Sequence, residues 1–161
     1  MKPSVRPAAR ADAPLIVRLI QELAAYERAP DEAKASAGDI EEALFCVAPR
    51  VFALIAEDGG AIVGFALYFF NFSTWTGKPG VYLEDLYVRE EARGRGAGAA
   101  LLARLARIAE ENGCARLEWS VLDWNAPAID FYRALGAEPM SDWTVYRMTG
   151  ATLRALAERS R

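Results

Sequence analysis

The stretch Arg93-Gly94-Arg95-Gly96-Ala97-Gly98 carries the plainest chemistry in the chain. Small residues let backbone N–H groups turn inward toward an anion. The first turn of a following helix adds a favourable dipole, and two arginines supply charge-assisted bonds to phosphate. No Gly-Lys-Ser/Thr follows, so this is not a Walker-type loop. The glycine spacing also departs from the dinucleotide fingerprint, and no early strand-helix-strand unit precedes it. A tight strand-to-helix turn accounts for the same glycines without a ligand. Just upstream, Glu84 and Asp85 stand side by side in an apolar strand, Val81–Val88. Charge there is costly unless it is paired or used, which marks the two acids as functional, an ion-paired strand residue being the alternative. Strict alternation sends neighbours to opposite faces, so only one enters a single cleft unless the strand is bulged.

What the chain lacks narrows the chemistry further. Its 161 residues include no histidine. Ser-His and Cys-His triads, His-ligated metals and imidazole proton shuttles are excluded together, leaving carboxylates, Tyr, Lys, Cys or backbone groups for acid–base work. Cys46 and Cys114 have neither a disulfide-framework nor a metal-site spacing, and their apolar settings predict buried structural thiols and no metal. With 19 basic and 22 acidic residues the net charge is -3, which argues against nucleic acid as a partner. Hydrophobic residues make up 53%, too many for a disordered chain and enough for a real core. No apolar run approaches the ~20 residues of a membrane span, and no signal-peptide apolar region is visible. The longest, Ala61–Phe70, is interrupted by Gly64 and reads as a buried strand. These features predict a cytoplasmic protein with no membrane partner, folded as one domain over residues 1–161.

The elements that must position these residues follow from periodicity and punctuation. Val5-Arg6 before Pro7 makes a short first strand. Asp12 caps a helix whose apolar positions Leu15, Ile16, Leu19, Ile20 and Leu23 recur at helical spacing. Arg28–Gly38 is a loop, and Asp39 opens a second helix running through Val47. Phe52–Glu57 and Ala61–Phe72 are strands joined at Asp58-Gly59-Gly60, a hairpin signal. Ser73–Gly80, with Gly77, Pro79 and Gly80, reads as a loop before the strand Val81–Val88. Ala97–Asn112 is the clearest helix, with Leu101, Leu102, Leu105, Ile108 and Ala109 on one face and Gly113 as its stop. A strand over Arg116–Leu122 follows. Asn125 then caps a short helix with Pro127 in its first turn and Gly136 beyond its end. Trp143–Met148 is expected as a late strand and Ala151–Arg159 as a terminal helix. The order predicts an α/β or α+β domain around a central, partly antiparallel sheet.

Arg93-x-x-Gly96-x-Gly98, placed after Leu86-Tyr87-Val88, resembles the acyl-CoA pyrophosphate loop of the GNAT acetyltransferase superfamily. Tyr82-Leu83-Glu84-Asp85-Leu86-Tyr87-Val88, Asp123-Trp124-Asn125 and Phe131-Tyr132 resemble its diamine (spermidine/spermine) acetyltransferase branch. So do Leu23-Ala24-Ala25-Tyr26-Glu27 and Ile62-Val63-Gly64-Phe65-Ala66-Leu67-Tyr68. Ser73-Thr74-Trp75 and Val121-Leu122-Asp123-Trp124-Asn125 resemble the sister branch that acetylates thialysine. The resemblance implies a mixed, mostly antiparallel sheet flanked by helices, with one parallel strand pair splayed apart. It also implies acetyl-CoA as cosubstrate, a small-molecule amine as acceptor, and a homodimer.

Transfer to an amine requires it neutral, although an alkyl ammonium titrates near ~10.4 in water. The resemblance places a base, acting through water, at Glu84 and a general acid at Tyr132. Tyrosine suits the second role because it is protonated at neutral pH. Backbone N–H groups of Leu86, Tyr87 and Val88 would hold the acetyl and pantetheine part, one of them as oxyanion donor. Arg93, Gly94, Arg95, Gly96, Ala97, Gly98 and Ala99 would hold pyrophosphate. Asn125, Ala128 and Tyr132 complete the implied cofactor set, and Arg89 is expected at the surface. The implied acceptor pocket uses Tyr26, Glu27, Glu84 and Asp85, with Glu118, Trp119 and Ser120 lining it further. Asp142 stands where an acid from the other subunit contributes. Polyamine-specific members carry an acid at the position of Ser73, so this chain is expected to favour a lysine-like amine over spermidine. Another amine, such as a protein amino terminus, an aminoglycoside or an amino acid, is the alternative acceptor. A non-catalytic acyl-CoA-binding module is the alternative of a different class.

Overall fold

The Asp58-Gly59-Gly60 signal forms the expected hairpin: both glycines adopt positive φ, 59° and 83°, and join β2 (Phe52–Asp58) to β3 (Ala61–Ser73). The computed structural model describes residues 2–160. The chain divides into two compact units, Met1–Leu122 and Asp123–Arg161.

The first unit holds β1 (Ser4–Pro7), α1 (Ala13–Tyr26), α2 (Ala37–Phe45), β2, β3, β4 (Lys78–Val88), α3 (Ala97–Glu111) and β5 (Leu117–Trp119). The sheet order is β1-β2-β3-β4-β5, antiparallel throughout except for the parallel β4–β5 pair. Ile16 and Leu19 of α1 and Leu44 of α2 bury against Ala53, Ile55, Phe65 and Leu67, which share one face by period-two alternation. The opposite face receives α3, whose stripe Leu101, Leu102, Leu105, Ile108 and Ala109 is buried as expected. The parallel pair together with this mixed sheet is the architecture the resemblance implies.

Several local expectations are corrected. Ser73–Gly80 is not a loop. Only residues 74–77 turn, while Lys78, Pro79 and Gly80 pair with Ser73, Phe72 and Asn71. Gly80 is a strand residue because a Cβ there would stand 2.5 Å from Asn71 Oδ1 and 3.3 Å from the Arg116 carbonyl oxygen. Asp12 does not cap α1 with its side chain. Its carboxylate accepts from the Ala9 N–H at 2.7 Å and from Arg6, closing a short turn ahead of the helix. α2 starts earlier than expected, capped by Ser36: Asp39 N–H donates to Ser36 Oγ, and Ser36 N–H donates back to the Asp39 carboxylate. Arg89 is not a surface residue but a half-buried partner of Glu22, bonded through Nε and Nη2. Cys46 and Cys114 are free as expected, yet both are half-buried rather than buried.

The second unit contains α4 (Ala126–Ala134) and α5 (Gly150–Glu158). Asn125 caps α4 as expected, its Oδ1 accepting from the Ala128 N–H at 3.4 Å. The expected strand over Trp143–Met148 is absent. Trp143, Val145 and Tyr146 are exposed, and β-forming residues without a ladder partner do not make a strand.

Candidate active site

A bulge in β4 decides where the two adjacent acids go. Leu67 pairs with Asp85 and Tyr68 with Leu83, so Glu84 is the extra residue. The bulge reverses the alternation and puts Asp85 on the face shared by Leu67 and Phe65, toward α1. Glu84 remains exposed and Asp85 is half-buried. Asp85 is pushed up to about 6, mainly by burial and then by the charges of Glu84 and Glu27. Glu27, at the end of α1, is itself raised by burial. Three of the expected acceptor acids therefore form one electrostatic cluster drawn from β4 and the end of α1.

The same bulge sets the N–H groups of β4. β5 pairs only with Val81, Tyr82 and Leu83, so the remainder of β4 has an open edge. Arg89 N–H donates to the Val63 carbonyl on β3 at 2.9 Å. Successive N–H groups point to opposite edges, so that of Tyr87 also faces β3. Leu86 and Val88 face the open edge, and of the three expected backbone donors these two are the ones directed there.

The glycine loop follows a short turn at Glu90–Ala92. Gly94 and Gly96 take positive φ, 76° and 93°, and a Cβ on either would meet no atom within 4 Å. That open concavity lies beside the α3 amino terminus. The first intrahelical bond is Ala100 N–H to the Gly96 carbonyl, which leaves the N–H groups of Ala97, Gly98 and Ala99 without helical acceptors. Arg95 is largely exposed and lies 3.6 Å from Asp58. These groups fit a pyrophosphate: fixed N–H donors, a helix end, and an exposed cation.

Arg93 is placed differently from Arg95. Its Nε donates to the Val88 carbonyl at 2.9 Å, and its guanidinium lies 4.6 Å from the Tyr26 ring centroid and 5.8 Å from that of Tyr87. Tyr87 is raised above the ordinary phenol range by burial first and by the charge of Glu22 next. Nothing in residue spacing announces the Arg93–Tyr26 stack or the Arg89–Glu22 pair; both join segments distant in sequence.

The further lining residues are already engaged. Glu118 pairs with Arg116 at 2.8 Å, and Ser120 Oγ lies 3.0 Å from Tyr82 Oη. Trp119 ends β5 and is half-buried. Ser73 is buried and its Oγ accepts from the Thr76 N–H at 3.3 Å, tying down the β3–β4 turn. In the second unit, Tyr132 and Phe131 stack at 5.5 Å on α4, both half-buried, and Asp142 is exposed. Ala128 sits in the first turn of α4, where its N–H meets Asn125. Among the described residues no group of three His, Cys, Asp or Glu is arranged to hold a metal ion.

Comparisons with known proteins bear on the family and the fold. The model of the acetyltransferase (GNAT) family matches residues 16–137. A thialysine N-epsilon-acetyltransferase from Bos taurus is 39% identical over 164 aligned residues, covering 95% of this chain and 96% of that protein. A human spermidine/spermine N(1)-acetyltransferase-like protein is 37% identical over 95% of this chain, which spans 23% of that longer protein. A solved integron cassette protein from the mobile metagenome of V. cholerae superposes with a TM-score of 0.80 and 30% identity, covering 98% of this chain and 99% of its own.

Proposed function

The chain belongs to the acetyltransferase (GNAT) family and is an acyltransferase, and from that premise we propose that it moves the acetyl group of acetyl-CoA to a primary amine of a small molecule. The observation that carries the proposal is the β4 bulge. It gathers Glu84, Asp85 and Glu27 beside the stretch of strand whose Leu86 and Val88 N–H groups have no β5 partner. Two of the acids that attract a cation, Glu84 and Asp85, and the N–H donors without a β5 partner thus lie on one stretch of strand.

Acetyl-CoA supplies the activated acetyl group. The N–H groups of Gly94–Ala99 with Arg95 and Arg93 hold its pyrophosphate, and Asn125 and Ala128 hold the pantetheine arm. Asp85 and Glu27 attract and orient the ammonium. Glu84, exposed to water, collects its proton through solvent, so that the amine attacks neutral. Leu86 or Val88 N–H stabilises the oxyanion. Tyr132 returns a proton to the departing thiolate. Neither cysteine lies in a nucleophile setting, and burial raises the Cys114 thiol, which favours direct attack in a ternary complex over a covalent enzyme intermediate.

For the acceptor we favour thialysine or a similar lysine-like amino acid over spermidine. Two observations support this choice: the similarity to thialysine acetyltransferases, and Ser73, which offers no charge for a second ammonium and is spent on the hairpin turn. We further propose that the chain works as a homodimeric cytoplasmic enzyme, one acetyltransferase domain over residues 1–161. The test is CoA release from acetyl-CoA across amine classes. Turnover highest with thialysine is expected, turnover only with aminoglycosides or peptide amino termini would reassign the acceptor, and CoA binding with no turnover on any amine would remove the enzymatic role.

A further inference from the structure

We infer that Arg93 and Tyr26 couple the phosphate loop to the amine pocket, so that filling one site raises affinity at the other; this rests on the acetyltransferase reading above. Arg93 belongs by sequence to the glycine loop, yet its side chain turns back toward α1. The Nε bond to the Val88 carbonyl pins the guanidinium at the end of β4, and its face lies 4.6 Å from the Tyr26 ring centroid. That bond uses Nε alone, so the two Nη groups are the part of the fork left to meet an anion in the loop. One planar group thereby has one edge for phosphate and one face for an aromatic ring.

Tyr26 is the last residue of α1, and Glu27 is its cap. The helix stops in a Schellman arrangement: Ala29 N–H bonds the Ala24 carbonyl and Arg28 N–H bonds that of Ala25. Arg28 holds the left-handed conformation, φ 63°, that glycine normally takes at this position. The end of α1 is therefore a defined turn, which holds Tyr26 and Glu27 in a fixed relation along the backbone. The charge of Glu27 in turn contributes, after burial and Glu84, to raising the Asp85 carboxyl. The proposed line of influence is phosphate loop, Arg93, Tyr26, Glu27, Asp85.

An anion paired with the Nη groups would fix the plane of the guanidinium and so restrict where the Tyr26 ring can lie against it. That favours the placement of Glu27 which the amine also needs. Linkage makes the effect reciprocal, so the amine must tighten CoA binding by the same factor that CoA tightens amine binding. Arg93 and Tyr26 are in this sense positioning residues, whatever else each touches.

The experiment is calorimetric titration of CoA into the full chain, with and without saturating thialysine, or spermidine if the acceptor survey selects it. The wild type is expected to show a coupling factor of about fivefold or more. Tyr26→Leu and Arg93→Lys, which remove the ring and the planar fork, should each bring that factor near one. Tyr26→Phe, which keeps the ring, should preserve it, and the Leu/Lys double variant should lose no more than either single variant. A coupling factor of one in the wild type overturns the inference. So does retained coupling in Tyr26→Leu, even if amine affinity falls, because Tyr26 would then only touch the amine. Failure of the wild type to bind CoA at all would show in the first titration and would remove the acetyltransferase reading itself.

Discussion

Gly64 on β3 faces Val88 of β4 so closely that a Cβ on it would collide with the Tyr87 carbonyl oxygen, with Val88 Cα and Cγ2 only 3.1 Å away. The contact is to backbone, which cannot rotate aside. It also lies at the open stretch of β4 that presents Leu86 and Val88 N–H groups, so strand separation here is felt in the site.

Gly64→Ala is expected to destabilise the fold by about 2–3 kcal/mol through overpacking, and to raise KM for acetyl-CoA in whatever remains folded. Urea unfolding with an unchanged slope and a lower midpoint checks the first part. A midpoint equal to wild type would show that β3 and β4 separate freely.

Asp85 is pushed up to about 6 by burial and by two neighbouring acids. Its native pKa exceeds its unfolded value, so the native state binds the extra proton and stability falls as pH rises from about 4 to about 6. Asp85→Asn should therefore stabilise the fold at pH 7, by roughly 1–3 kcal/mol. It should also raise KM for the amine and remove the loss of amine affinity expected as wild type is acidified through about pH 6. Thermal melts at pH 4.5 and pH 7 with KM profiles test both signs.

Glu84→Gln should shift the alkaline rise of kcat/KM upward, because the amine must then lose its proton to bulk base without a carboxylate relay. An unaltered pH profile would count against Glu84 as the base.

Tyr132→Phe is expected to lower kcat by about 10²-fold or more while leaving acetyl-CoA affinity within a few-fold. Stopped-time assays beside calorimetric titration separate the two quantities, and an unchanged rate removes Tyr132 as the acid.

Arg6 bridges Asp12 and Glu57, at 2.7 Å each, and Asp12 is nearly enclosed. The Arg6 guanidinium holds the Asp12 carboxyl below the usual carboxylate range. That stabilisation is present above the unfolded pKa and is lost as pH falls through the lower native value. Arg6→Ala should cost about 1–2 kcal/mol at pH 7 and progressively less as pH falls through the lowered native value of Asp12. Denaturation midpoints across an acid pH series decide it.

The helices and the hairpin were legible because their signals are local. The stripe Leu101–Leu105–Ile108, the Asp58-Gly59-Gly60 turn and the Asn125 cap each act within a few residues, and each stands in the structure. The elements that differ from expectation share a cause. The composition around Gly80 predicts a loop, yet glycine is needed there for close approach to Asn71 and Arg116, which only strand pairing brings near. Trp143–Met148 has strand composition, but a strand requires a neighbour with unsatisfied N–H and C=O groups, and composition does not supply one.

Sequence alone determined the class of chemistry. The absence of histidine, the adjacent acids and the glycine loop are properties of residue types and spacing, and with the motif resemblance they pointed to acetyl transfer without imidazole. Tertiary structure decided which groups meet. A single bulge opposite Leu67 turned Asp85 onto the face of Glu27 and left Leu86 and Val88 with N–H groups at an open edge. The bulge depends on the register between two strands, and register is fixed by cross-strand packing, which no local stretch of sequence contains.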